Sequence, residues 1–304
     1  LNIVVVGAGA VGGYFGGKLA KSGEAVTFLV RQKRYEQLTQ QGLQVNSIYG
    51  DFSVHPHVVT EAKDIQQPEL VIVALKNYHL EAAMPELATL VENGAKILPL
   101  LNGVEHLDLL TSTFGQDRVL GGICYIESTL NNDNHIVHTS KLHHIVFGSI
   151  LEGDENFLQK VLTSFEKAHI PSTLSKEIVV DMWKKYTFLT TLSGVTSVLR
   201  QPIGVALQDP VMIEFLKELI KEVVVVGMAN KINLSQELVT ETMTKLQDLP
   251  PEMTSSMHRD LEKGLRIELD SIQGYLLKNA KLHTIDTPCL RSIYAFLHPF
   301  KNGN

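Results

Sequence analysis

A chain of 304 residues is long enough for about two domains, each with its own core. Its residues are 44% hydrophobic and 20% charged, the balance of a folded globular protein rather than a disordered one. A formal net charge of -6 argues against nucleic acid or an anionic membrane as the main partner. The two cysteines, Cys124 and Cys289, stand far apart and in no CxxC frame, as free thiols in a reducing compartment do. No run reaches the ~18 uninterrupted apolar residues of a transmembrane helix. The first residues, apolar but without a basic flank, read as a strand and loop rather than a leader, so a cytoplasmic protein is expected.

Residues 3–6 are a β-branched run, residues 7–12 a glycine-rich loop, and the stretch to Ala20 is helical in pattern. Residues 25–30 read as a second strand and 31–41 as a second helix. A hairpin is expected around Gly50-Asp51, pairing residues 43–48 with 52–59. Residues 70–75 and 96–101 are apolar strands, with helical segments between and after them. Near-continuous apolar strands spaced by helices indicate a parallel sheet covered on both faces. Residues 119–127, 136–139 and 143–147 read as shorter strands, a mixed edge on that sheet.

Beyond Ile170-Pro171 strand signals nearly vanish. Helices are expected over 178–199, from Asp209-Pro210 to about Asn230, over 235–246, over 255–280 as one long element, and from Thr287-Pro288 onward. Asp-Pro and Thr-Pro suit an N-cap followed by proline at the first helical position. The expected fold is α/β, with an N-terminal Rossmann-type doubly wound sheet in residues 1–170 and an all-helical domain in residues 171–304. The run Val223-Val224-Val225-Val226 makes its helix apolar on more than one face, which suits either deep burial or the interface of a homodimer.

Gly7-Ala8-Gly9-Ala10-Val11-Gly12 is a GxGxxG sequence with a strand before it and a helix after it, the context that gives this short motif its meaning. Gly7 permits the tight turn, Gly9 removes the side chain that would block the phosphates, and Gly12 lets helix and sheet pack closely. The helix N-terminus then meets a pyrophosphate with unpaired N–H groups. NAD-binding domains usually place an acid at the end of the second strand for the ribose 2′-hydroxyl. This strand ends instead in Arg31, with Lys33 and Arg34 following. A guanidinium binds a 2′-phosphate through a fork of charge-assisted hydrogen bonds, where a carboxylate would repel it, so NADP(H) is the expected cofactor. A merely basic first turn of a surface helix would be disfavoured by the helix dipole.

In open α/β sheets, ligands bind beyond the carboxyl ends of the strands. Lys76 directly follows one apolar strand and Asn102-Gly103 another. Each alone is more often a solvated turn; together, in a nucleotide fold, they point to the nicotinamide half of the site.

The glycine loop, Arg31, Ala-Leu-Lys at 74–76 and Leu-Asn-Gly at 101–103 resemble the ketopantoate reductase family. The helical half continues the likeness. Trp183-Lys184-Lys185 resembles that family's Trp-x-Lys, Ser255-Ser256-Met257 its Ser-Ser-Met, and Ile267-Glu268-Leu269-Asp270 its acidic segment, with Gln273-Gly274-Tyr275-Leu276 following at the expected spacing. The resemblance covers essentially the whole chain. It implies NADPH-dependent reduction of a small-molecule 2-keto acid, with 2-dehydropantoate, on the route to pantothenate, as the family's substrate.

By this resemblance Lys185 is the catalytic lysine that protonates the keto oxygen. That role is chemically sensible, since an ammonium stabilises a developing alkoxide and then donates its proton. Glu268 matches the acid that orients the lysine and accepts from a substrate hydroxyl, and Ser256 a serine that contacts the substrate. Asn102 and Lys76 match residues at the nicotinamide ribose and the reaction centre.

The pattern breaks at three places. Where the family's lysine helix usually carries asparagines, one and two turns on, this chain has Leu189 and Ser193, on the face of Lys185 by i, i+4 spacing. Met253 replaces another asparagine, three residues before Ser256. A site that loses such groups loses discrimination for a polar substrate. Two alternatives to the family's reaction follow: a reductase of a more apolar 2-keto acid, and a non-enzymatic NADP-sensing protein, against which the retention of Lys185 and Glu268 speaks.

His135, His138, His143 and His144 cluster in sequence, and His55 and His57 flank Pro56. Zinc needs ligands converging on one point, and adjacent residues on a strand face opposite ways, so no metal is expected. His258, beside Ser256, reads as a substrate contact or a surface residue.

Overall fold

The computed structural model describes residues 1–151 and 153–303. In chain order its first half contains β1 (Asn2–Val6), α1 (Ala10–Lys21), β2 (Ala25–Leu29), α2 (Gln32–Gln41), β3 (Leu43–Ser47), β4 (Phe52–Val54), β5 (His57–Val59), β6 (Leu70–Val73), α3 (Leu80–Glu92), β7 (Lys96–Pro99), α4 (Glu105–Phe114), β8 (Leu120–Leu130), β9 (Ile136–Ser149), α5 (Glu155–Lys167) and β10 (Ser172–Leu174). Five of these strands form a sheet in the order β5-β2-β1-β6-β7, every pair parallel. The chain winds outward from β1 and then returns to β6 on the other side of β1. This reversal is the switch point beside which doubly wound sheets bind ligands.

Residues 119–147 do not extend that sheet as a mixed edge. They build a second sheet, β10-β9-β3-β4 with β8 antiparallel to β9, joined to the first by a bridge between Ile97 and Val119. Residues 136–139 and 143–147 are one strand, because a register shift between Ile126 and Ser128 of β8 absorbs the irregularity and lets β9 run on. The expected hairpin is also shorter. β4 pairs with β3, but beyond Pro56 the chain leaves for the first sheet, where β5 lies beside β2. Proline lacks a ladder donor and restricts the residue before it, so it ends one strand and frees the next to pair elsewhere.

Helix α1 lies between the two sheets. A β-carbon at Gly16 would meet Phe28 and Val5 of the parallel sheet, and one at Gly17 would meet Leu43 of the second. Glycines cost a helix about 1 kcal/mol each relative to alanine, and here that cost is offset by close packing on both faces. Tyr14, Phe15 and Leu19 fill the remaining space and are fully buried.

The chain forms two compact units, one of Leu1–Leu101 with His106–Ile178, the other of Asn102–Glu105 with the chain from Val179 onward. The division therefore falls later than 170/171, because β10 pairs in parallel with β9 and stays with the first unit. The second unit is helical, with α6 (Ile178–Leu199, its first residue still in the first unit), α7 (Ile203–Leu207), α8 (Pro210–Ala229), α9 (Glu237–Gln247), α10 (Ser256–Glu262), α11 (Tyr275–Leu282) and α12 (Pro288–Leu297). Asp209 caps α8, accepting from the N–H groups of Val211 (2.8 Å) and Met212 (3.1 Å). Of that apolar run Val223, Val224 and Val226 are fully buried and Val225 is half-buried.

Residues 255–280 are not one helix. The chain leaves helical conformation after α10, passes Gly264 at φ +64°, and re-enters through a π-helical turn, Asp270–Gly274, that leads into α11. No helix among the described residues is long and apolar enough to cross a membrane.

Candidate active site

In the first unit the glycine loop connects β1 to α1. Gly7 adopts φ +96°, and a β-carbon there would lie 2.6 Å from Leu75 Cδ2 and 2.8 Å from the Ala74 carbonyl. A β-carbon at Gly12 would collide with the Gly7 carbonyl and lie 2.9 Å from Ala74 Cβ. Both positions thus need glycine for the protein's own packing. Gly9 differs: a β-carbon there would meet nothing within 4 Å. Its missing side chain serves no internal contact and leaves clear the ground before the first turn of α1, whose N–H groups lack intrahelical partners. That cradle fits a dinucleotide pyrophosphate.

The three basic residues after β2 are held differently. Arg31 is the exposed N-cap residue of α2, and its Nη2 donates to His79 Nδ1 at 3.3 Å. Lys33 is exposed. Arg34 turns toward the glycine loop, its Nε donating to the Ala8 carbonyl at 3.0 Å. Lys76 lies beyond β6 as the N-cap residue of a 3-10 turn, Asn77–His79.

In the second unit, two residues singled out from the sequence meet. Lys185 Nζ donates to Asn102 Oδ1 at 3.2 Å, across 83 positions of chain. The Asn102-Gly103 turn sits close against its surroundings. Gly103 has φ +80°, and a β-carbon there would lie 3.3 Å from the Ser271 carbonyl and 3.7 Å from Tyr186 Cε2.

Tyr186, next to Lys185, is buried, and its hydroxyl donates to the carbonyl of Ile272 in the π turn. Burial, with the charges of Tyr275 and Glu105 acting the same way, raises its pKa well above the usual tyrosine value, so it remains a donor. The turn is tied in turn to Glu268, whose backbone carbonyl accepts from Ile272 N–H (3.1 Å) and Ser271 Oγ (3.2 Å). Glu268 itself is buried. Lys185, Asn102 and the segment carrying Glu268 are therefore linked through Tyr186 and a π turn, a feature that recurs at functional sites.

The remaining residues divide. Leu189, one turn beyond Lys185, is half-buried. Ser193 is fully buried, and Gln273 Nε2 donates to its hydroxyl (3.1 Å) and to the Thr190 carbonyl (3.2 Å). Ser255 caps α10 by accepting from His258 N–H at 3.0 Å, and Ser256, the first residue of that helix, is half-buried. His258 is buried rather than on the surface, with Nε2 3.2 Å from the Glu262 carboxylate. Tyr186 and Gln273 escaped the reading of the sequence. Tyr186 adjoined the motif lysine, and Gln273 was visible only as part of a spacing.

His143 meets Tyr14 Oη at 3.1 Å, while His144, on the opposite face of β9, meets Thr173 Oγ1 at 2.9 Å. Among the described residues no group of three or more His, Cys, Asp or Glu is placed to hold a metal ion.

A family model described as ketopantoate reductase PanE/ApbA matches residues 3–152, and the model of that family's C-terminal part matches residues 177–301. The chain is 35% identical over 301 residues to the uncharacterized oxidoreductase YkpB of Bacillus subtilis, covering 99% of each. It is 26% identical to the 2-dehydropantoate 2-reductase of Pyrococcus abyssi over 95% of this chain and 94% of that one. Among solved structures, the 2-dehydropantoate 2-reductase of Geobacter metallireducens superposes with a TM-score of 0.89 at 27% identity, over 98% of this chain and 99% of the other.

Proposed function

Because the chain belongs to the ketopantoate reductase family, an oxidoreductase family that uses a nicotinamide cofactor, we propose that it reduces a 2-keto acid to the 2-hydroxy acid with NADPH, 2-dehydropantoate being the first substrate in view. The observation that carries this reading is the 3.2 Å bond from Lys185 Nζ to Asn102 Oδ1. When bound, the reduced dinucleotide supplies the hydride. Lys185 supplies the proton: its ammonium stabilises negative charge growing on the keto oxygen and then transfers a proton to it. Asn102 holds the lysine by accepting one of its hydrogens. Glu268 and Ser256 are assigned to the substrate, Glu268 accepting from a hydroxyl. Gly9 and the first turn of α1 receive the pyrophosphate, and Arg31 receives the 2′-phosphate that distinguishes NADPH from NADH.

The test is NADPH oxidation with 2-dehydropantoate by the wild type and by Lys185→Ala. Loss of an acid catalyst costs about 10²- to 10⁴-fold in turnover, while NADPH binding persists. Normal turnover in the variant removes Lys185 from the mechanism.

One observation favours a second substrate. Leu189 replaces an amide beside Lys185, and the Ser193 hydroxyl is already engaged by Gln273. Both changes make this face of α6 less able to bind a polar side chain and favour a more apolar 2-keto acid. A panel of aliphatic and aromatic 2-keto acids separates the two; preference for 2-dehydropantoate over the whole panel ends this second reading.

A further inference from the structure

Arg34, in the first turn of α2, is half-buried and reaches toward the glycine loop. Its Nε donates to the Ala8 carbonyl at 3.0 Å, and its Nη1 donates to Gln37 Oε1 at 2.6 Å and to the Asn134 carbonyl at 3.2 Å. Gln37 Nε2 in turn donates to the Asp133 carbonyl at 3.1 Å. Two side chains of one helix thus tie the glycine loop to the turn between β8 and β9. All of these groups belong to the first unit.

The consequence lies in the peptide between Ala8 and Gly9. It is trans, and in a trans peptide the carbonyl and the following N–H point to opposite sides of the chain. Holding the Ala8 carbonyl toward Arg34 turns the Gly9 N–H away from it. Gly9 is also the loop position whose missing side chain faces no protein atom within 4 Å.

We propose that Arg34 is a positioning residue for cofactor binding: it fixes the Ala8–Gly9 peptide plane and so presents the Gly9 N–H to a dinucleotide pyrophosphate. The inference rests on the reading of the loop as a dinucleotide site. It separates Arg34 from Arg31 in a measurable way. A pyrophosphate is common to NADPH and NADH, so Arg34 serves both cofactors alike, whereas a 2′-phosphate ligand serves NADPH alone.

The experiment measures dissociation constants for NADPH and NADH by nicotinamide fluorescence, with thermal melts alongside, for the wild type, Arg34→Gln and Arg34→Lys. Losing a charge-assisted bond that orders the loop raises both constants about tenfold in Arg34→Gln and leaves their ratio unchanged. Arg34→Lys keeps the charge without the fork and falls between the two. In steady state the KM for NADPH rises more than kcat falls. Wild-type affinities in Arg34→Gln overturn the proposal, as does weakened NADPH binding with unchanged NADH binding, the signature of a 2′-phosphate ligand. Should Arg34→Gln not fold, Arg34→Lys carries the test, with a proportionate rise in both constants supporting the proposal and wild-type values overturning it. A wild type that binds neither dinucleotide sinks both this proposal and the reading beneath it. One that binds both dinucleotides but reduces no 2-keto acid sinks the enzymatic reading alone.

Discussion

Arg31 and Arg34 stand three residues apart at the start of α2, yet their partners give them different work. Arg31 is exposed, with a guanidinium hydrogen donated to His79, while Arg34 is anchored to the backbone of the glycine loop. On the proposal that Arg31 receives the 2′-phosphate, Arg31→Ala is expected to weaken NADPH binding about tenfold and leave NADH nearly untouched, since NADH has no such phosphate. Competition titrations with the two dinucleotides measure this, and an equal loss for both would deny Arg31 that role. At this scale the sequence pointed to residues that carry their own chemistry, and two of them, Lys185 and Asn102, meet in the structure. It did not show what Arg34, Tyr186 and Gln273 touch. Their contacts include backbone carbonyls made available by the fold, and a carbonyl leaves no mark in a sequence.

The π turn Asp270–Gly274 joins the backbone beside Glu268 to Tyr186, the neighbour of Lys185. Its Ile272 carbonyl receives the hydroxyl of Tyr186, a buried donor one residue from Lys185. Tyr186→Phe leaves that carbonyl without its donor in a buried place, a loss of about 1–3 kcal/mol. Thermal melts should therefore fall by several degrees, at about 2–4 °C per kcal/mol for a chain of this class. Turnover should fall further than stability alone explains, because the turn also fixes the backbone beside Glu268. An unchanged melting temperature would show that the hydroxyl contributes nothing.

Helical periodicity could not reveal this turn. The π turn spans five residues, too few to set a period of its own, so residues 255–280 look continuous in the sequence although the chain turns at Gly264, φ +64°. Elements with their own punctuation were legible: Asp209-Pro210 opens α8 as its cap predicts. Pro56 was equally visible, but which sheet the chain joins after it depends on packing between β2 and β5, distant in sequence.

The parallel strands were readable because burial on both faces makes them continuously apolar. The second sheet was not, since its partly exposed strands carry histidines and hydroxyls that resemble an edge. Inside that sheet, burial first, and then the charges of Lys18, His138 and His144, lower the pKa of His143 from the ordinary 6.5 to about 4. The native state therefore binds fewer protons at this site than the unfolded chain between those two values. Its contribution to stability is complete above pH 6.5 and is lost as the pH falls toward 4.

His144, lowered chiefly by burial, acts in the same sense. Glu222 acts oppositely, because burial raises its carboxyl and the native state takes up its proton first. Asp270 is lowered overall, the bonds from Tyr294 and Lys301 outweighing its burial, so its contribution is lost only as the pH falls below the ordinary carboxylate value of 3.8. Between pH 7 and pH 5 the histidines thus supply the acid sensitivity, and Glu222 offsets part of it. Urea unfolding at those two pH values is expected to show a lower midpoint at pH 5 for the wild type. In His143→Gln, which keeps a polar partner for Tyr14 but cannot titrate, the gap between the two midpoints should narrow. If the gap keeps its wild-type size, proton uptake by the unfolded state occurs at other groups, and the buried pairing of His143 with Tyr14 has no part in acid stability.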